Sequence, residues 1–138
     1  MIGRFFVDTN VLVYADDATA GAKREAARNV VREAVRTRRG VLSIQVLQEY
    51  FSTAVKKLAI PPEHARSRVE FLGRLDVVTL HVDDLLSAID LHRLHSLSIW
   101  DALIVRAALI SGCHVLYTED MQHGRRFEGV EIVSPFVK

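Results

Sequence analysis

Short apolar runs alternate with stretches of helical period from one end of the chain to the other, and nothing constrains its fold more. Residues 4–7, 41–43, 76–80, 114–117 and 130–133 read as short strands. Between them the period is helical: a short turn of helix up to about residue 16, then Ala22–Thr37, 44–58, 63–75, 82–94 and 99–111. Such a chain, with no repeat, linker or low-complexity tract, predicts one α/β domain over residues 1–138 with a mostly parallel sheet of about five strands. Gly40 is expected to end the Ala22–Thr37 helix, Ser43 to cap the next one, and Pro62 to sit in the first turn of the one after. Ala27, Val30, Val31, Ala34 and Val35 predict the buried face of the first long helix. Leu47, Tyr50, Phe51, Ala54, Val55 and Leu58 predict that of the second.

At 138 residues the chain is long enough to bury a core, with six Phe, three Tyr and one Trp to anchor it. No apolar run reaches the length of a membrane span, since Asp101 and Arg106 interrupt the best candidate, and Asp8 cuts the N-terminal apolar stretch too short for a secretory signal. The single Cys113 cannot form an internal disulfide and reads as a small buried hydrophobe in a reducing, cytoplasmic setting. Net charge is +1, but seven cations against two anions lie between Lys23 and Arg39. Arg24, Arg28, Arg32 and Arg36 recur every four residues there, as a solvated face or a phosphate-contacting ridge. His92 and His95 stand one helical turn apart without a third metal ligand, which makes them surface histidines.

Four acids carry the functional argument. Asp8 follows the first strand directly, where an open parallel sheet presents its reactive groups, although Asp8, Thr9 and Asn10 are also ordinary N-caps. Glu49 lies one turn into a helix, on the border of its apolar stripe. Asp101 stands three residues after Ser98, a capping-box spacing, beside a bulky Trp100 expected to hold that turn firmly. Asp120 lies just past a strand, where a turn acid is common. Singly, each has a structural explanation. Together they would meet at one sheet edge, where each like-charged pair at ~4 Å costs about 4 kcal/mol at an effective dielectric of ~20. Protons or a cation must relieve that. An all-oxygen cluster suits hard ions, Mg²⁺ or Mn²⁺, and the chemistry such ions favour is phosphodiester hydrolysis.

These residues resemble those of a known family. Phe6-Val7-Asp8-Thr9-Asn10-Val11-Leu12, Gln48-Glu49, Ile99-Trp100-Asp101-Ala102-Leu103-Ile104 and Leu116-Tyr117-Thr118-Glu119-Asp120-Met121 are similar to segments of the PIN-domain nucleases, most closely the VapC-like toxins of toxin–antitoxin pairs. The closing Val133-Ser134-Pro135-Phe136 also resembles that group, with Ser134 where Asn is common. The resemblance implies a three-layer α/β/α sandwich and an endoribonuclease using one or two Mg²⁺ or Mn²⁺ ions. It further implies a homodimer silenced by a cognate antitoxin. By position, Asp8, Glu49, Asp101 and Asp120 match the acidic quartet and metal ligands, with Thr9, Asn10 and Thr118 in support. Arg125 and Arg126, with Arg24 and Arg28, are the candidates for steering the RNA backbone. A haloacid-dehalogenase-type phosphatase also begins strand-Asp but needs a second Asp two residues on, where this chain has Asn10. A non-catalytic PIN-like module that binds RNA or protein is the other alternative.

Overall fold

The structure, a computed structural model, describes residues 3–137. In chain order the elements are β1 (Phe5–Val7), α1 (Thr9–Ala15), α2 (Ala22–Thr37), β2 (Gly40–Ser43), α3 (Ile44–Lys56), α4 (Pro62–Leu72), β3 (Asp76–Val78), α5 (Val82–His95), α6 (Ile99–Ile110), β4 (Val115–Tyr117), β5 (Arg126–Phe127) and β6 (Val130–Val133). The sheet runs β3-β2-β1-β4-β6-β5, parallel throughout except for β5. Right-handed crossovers put α1 to α4 on one face of this sheet, and α5 and α6 on the other, giving three layers.

That strand order fixes where a site can form. From β1 the chain steps outward to β2 and β3, then returns past β1 to β4, so the direction of winding reverses between β1 and β4. At such a reversal the flanking helices diverge and leave a crevice beyond the carboxyl ends of the two strands. Val7 pairs with Tyr117 at that end, which puts Asp8 and Thr118 side by side at its mouth.

The β1 and β2 residues from Phe5 to Val7 and Gly40 to Ser43 are all buried, with Leu116 and Ile132 beside them and Val11, Leu12, Val46, Tyr50, Ile104 and Val105 packed from the helices. Ser43 caps α3, its hydroxyl accepting from the Val46 amide at 3.2 Å. Cys113 is buried, as its apolar character predicts. Among the described residues, no helix is long and apolar enough to cross a membrane.

Four expectations change. A sixth strand, β5, pairs antiparallel with β6 through a tight turn in which Glu128 takes φ 51°; two residues are too few to leave a period in the sequence. Gly40 does not end α2: Arg38 adopts the left-handed conformation there at φ 56°. Gly40 instead opens β2 under α2, where a Cβ would run into Ala34. Val35 and Phe51 lie at the rims of their helices and are 36% and 37% exposed, because Ala34 and Ala54 make the close contacts. Trp100 is 63% exposed, so it neither anchors the core nor clamps its turn. Ala102, Ile104, Val105, Ala107 and Ala108 seat α6 instead.

Candidate active site

Asp8 is the N-cap of α1 and is only 3% exposed. Its amide continues the β1–β4 ladder by donating to the Tyr117 carbonyl at 3.0 Å, which leaves the carboxylate facing the crevice. One oxygen accepts from the Thr9 amide at 2.7 Å, the other from the Thr118 hydroxyl at 2.8 Å. Burial dominates its electrostatics and raises its pKa to about 7; the hydrogen bonds from Thr118 and Thr9 oppose the rise, while Asp120 and Glu49 add to it.

Asn10 ties the two sides of the crevice together. Its Nδ2 lies 3.1 Å from both the Thr118 hydroxyl and an Asp120 carboxylate oxygen, and 3.5 Å from Asp8 Oδ2. An amide has two protons, so the nearer pair takes them and Asp8 gets the loose third contact. Its Oδ1 accepts from the Glu119 amide at 3.2 Å. The Thr118 hydroxyl, fully buried, donates to Asp8 and accepts from Asn10 and from the Asp120 amide at 3.1 Å. Both oxygens of the amide and hydroxyl are thereby used up in fixing the turn after β4.

Glu49 enters from α3, where the Thr9 hydroxyl donates to Oε1 at 2.7 Å. Gln45, one turn earlier, reaches Glu49 Oε2 at 3.5 Å and the Trp100 carbonyl at 3.4 Å, linking α3 to the first turn of α6. Asp101 sits in that turn, with Ser98 Oγ accepting its amide at 3.0 Å. Burial raises the Asp101 pKa, and Asp120 and Glu49 raise it further, against the Ser98 hydroxyl. Each of the four acids thus feels at least one of the others across the crevice.

Among the described residues, none of these four carboxylates is within ion-pairing distance of a Lys, Arg or His. Glu119, beside them, contrasts sharply: Lys23 at 2.6 Å and the Tyr14 hydroxyl at 2.6 Å hold its pKa below the usual value despite burial. Among the described residues, no three His, Cys, Asp or Glu side chains close around one point as a ready-made metal cage. Glu49 and Asp120 line a cleft together with Thr9 and Asn10, and the Thr9 hydroxyl and Asn10 amide each hold one of the two carboxylates.

The arginines named from the sequence make no ion pair with the four acids among the described residues, and the charge of Arg24 acts on Asp17. Arg125 donates to the His95 carbonyl at 3.3 Å and stacks on Phe127 at 4.6 Å. Arg126 faces Glu131, level with the start of β4 and so toward the opposite end of the sheet. Arg28 donates to the Ala15 carbonyl at 3.0 Å, and Arg24 has a buried Nε with no partner. The histidine pair is structural at least in part, as His92 Nδ1 meets the Leu97 carbonyl at 2.5 Å. Sequence reasoning missed Gln45, although a Gln four residues before a helical Glu is a contact spacing. It also missed the Tyr14–Lys23–Glu119 cluster, whose members give no local signal.

The PIN domain family model matches residues 5–127. No curated protein sequence matches the chain. Among solved structures, the chain is similar to a toxin–antitoxin complex from Klebsiella pneumoniae, with TM-score 0.70 and 21% identity over 97% of this chain and 98% of that one. It is similar to a DNA-bound VapBC from Salmonella typhimurium, with TM-score 0.67 and 26% identity over 98% and 99%. VapC20 of Mycobacterium tuberculosis, a toxin that cleaves the sarcin–ricin loop, gives TM-score 0.69 and 18% identity over 84% and 91%.

Proposed function

The chain belongs to the PIN-domain family, and on that premise we propose that it is a metal-dependent endoribonuclease, the toxin of a toxin–antitoxin pair, with residues 1–138 as one nuclease domain. The observation that supports this reading is that Asp8 and Asp101, from separate elements, each feel the charges of Glu49 and Asp120, while none of the four has a cationic partner among the described residues. Carboxylates are not left together in this way unless a proton or a cation offsets their repulsion.

The donor set fits a hard divalent ion, Mg²⁺ or Mn²⁺: it is all oxygen, with hydroxyl and amide partners and no thiolate or imidazole. Asp8, Glu49, Asp101 and Asp120 would hold it. When bound, such an ion makes water more acidic and neutralises charge on a scissile phosphate. The protein's own part is positioning. Thr118 and the Thr9 amide fix both oxygens of Asp8, Asn10 fixes Asp120 against the β4 turn, and Thr9 fixes Glu49. These short side chains on strand ends and first helical turns have little rotamer freedom to lose, which suits a site that must be set before the substrate arrives.

Two partners follow. The resemblance to toxin–antitoxin complexes supports a cognate antitoxin. The outer row of α5, Val82, Leu85, Leu86 and Ile89, is apolar yet exposed, and supports a second copy of the chain as its cover. The test of the function is incubation of purified protein with structured RNAs in Mg²⁺, Mn²⁺ or chelator, beside Asp8→Asn and Asp101→Asn. Cleavage should need the ion and both acids; cleavage that survives chelator and both substitutions rejects the reading. Tight RNA retention without cutting under any ion would instead favour a binding module.

A further inference from the structure

A cleft of about 560 Å³ opens from the acids and runs between α1 and α3. Thr9 touches Glu49 at its inner end, while Asp17 and Lys57 line the outer end, so the two helices leave the acids in the same direction. On the α1 side the lining includes Asn10 and Tyr14, spaced one turn apart; on the α3 side it includes Glu49, Thr53 and Lys57, at i, i+4 and i+8. Eight helical residues separate Glu49 from Lys57 by about 12 Å, too far for both to act on the same phosphate.

The charges along this cleft are uneven. Glu49, Glu119, Asp120 and Asp17 line it, and a polyanion entering such a channel needs a compensating cation. Lys23 neutralises Glu119 from outside the lining. Lys57 is the one cation among the described residues that line the cleft, it is exposed, and its charge acts on Asp17 of the same lining without a direct ion pair to any carboxylate among the described residues. Its backbone is tied down at the end of α3, where its amide donates to the Thr53 carbonyl at 2.8 Å, so the ammonium is presented from a fixed point. The Tyr14 ring supplies an apolar wall midway, its hydroxyl being occupied by Glu119.

The geometry points to this cleft as the path of the RNA strand beyond the cut, with Lys57 holding a neighbouring backbone phosphate while the scissile one lies at the acids. The inference rests on the nuclease reading above. It assigns Lys57 a binding role beside the arginines named from the sequence.

The test reads single-stranded RNA binding by fluorescence anisotropy in an Asp8→Asn background with Mg²⁺, and cleavage kinetics in the otherwise unaltered protein. Lys57→Ala should weaken binding about tenfold and lower the slope of log affinity against log salt by about 0.7, the increment for one phosphate contact on a single strand. In cleavage it should raise KM and leave kcat near the parent value. Lys57→Arg should restore both, and Arg66→Ala, which removes an exposed α4 cation paired with Glu70, should change neither. Circular dichroism and thermal midpoints establish that each variant is folded. Asp17→Asn separates binding from a local structural role: if it weakens RNA binding as much as Lys57→Ala, Lys57 serves Asp17 and the inference is lost. Parent-like affinity and salt slope in Lys57→Ala overturn it too. If the unaltered protein cuts no RNA in either ion, the nuclease reading itself fails, which is a different result from a cutting enzyme indifferent to Lys57.

Discussion

Replacing Asp8 by asparagine in metal-free protein should stabilise the fold above pH 7, and the gain should fade toward pH 5. The carboxyl is 3% exposed, and burial is the main reason its pKa stands at about 7 instead of 3.8. In the unfolded chain it ionises at its ordinary value. Between those two values the native state therefore holds a proton that the unfolded state has lost, and stability falls as pH rises. Above both values the full cost is present, about 4 kcal/mol at about 1.4 kcal/mol per unit. Asparagine escapes this cost but replaces one acceptor oxygen by a donor. The Thr118 hydroxyl it would face already accepts from Asn10 and from the Asp120 amide. An unmatched buried donor of that kind costs about 1–3 kcal/mol. The variant should thus lead the parent by about 1–3 kcal/mol at pH 8, a lead that shrinks by about 3 kcal/mol on going to pH 5. Urea unfolding in chelator at a series of pH values measures this, provided the slope with denaturant is shared. A stability difference that stays constant from pH 5 to pH 8 would refute the reasoning, because Asp8 ionisation would then be uncoupled from folding.

Other perturbations probe neighbouring parts of the same construction. Asn10→Asp, nearly isosteric, should abolish cleavage and lower the thermal midpoint in chelator, since a fifth acid replaces the donor between Asp8 and Asp120; a parent-like midpoint would remove Asn10 from its tying role. Gly40→Ala should cost about 1–3 kcal/mol through overpacking against Ala34, and Ala34→Gly should recover part of it in the same unfolding experiment. Leu86→Glu should turn a dimer into a monomer by light scattering with little change in unfolding free energy, because Leu86 is 55% exposed in the single chain; unchanged mass would move the dimer surface elsewhere.

The alternation of strands and helices was legible because each element is long enough to show its period, and Ala22–Thr37 was bounded to the residue. β5 was not, being two residues whose pairing depends on a turn at Glu128 and on β6. The exposure of Val35, Phe51 and Trp100 was also hidden. Period tells which side of a helix is apolar but not where along it the neighbouring layer stops. Asp8, Asp101 and Asp120 could be singled out because each sits at a strand end or first helical turn, where local pattern has meaning, whereas Glu49, in the second turn of α3, gives no such signal. Lys57 was not, since a lysine at a helix end is ordinary until the opposite wall is known. The arginine row stayed open between a solvated face and a phosphate ridge for the same reason: an i, i+4 repeat marks a face without saying what it faces, and Arg32 and Arg36 turn to Asn29 and Glu33 on their own helix.

Position 10 shows why the identity of one residue decides between chemistries that share a strand and an Asp. Past Val7 and Tyr117 the ladder has one more bond, from the Asp8 amide; then Thr118 turns its own amide to Val133 and the two chains part. Nothing in the sheet holds the crevice shut or sets its width. The Asn10 side chain takes over that task, donating to Thr118 and Asp120 and accepting from the Glu119 amide, as a ladder residue would with its backbone. A carboxylate there could accept from Glu119 but could donate to neither neighbour, and would push Asp8 and Asp120 away. The amide ties Thr118 and Asp120 together across the turn while adding no charge to the acids beside it.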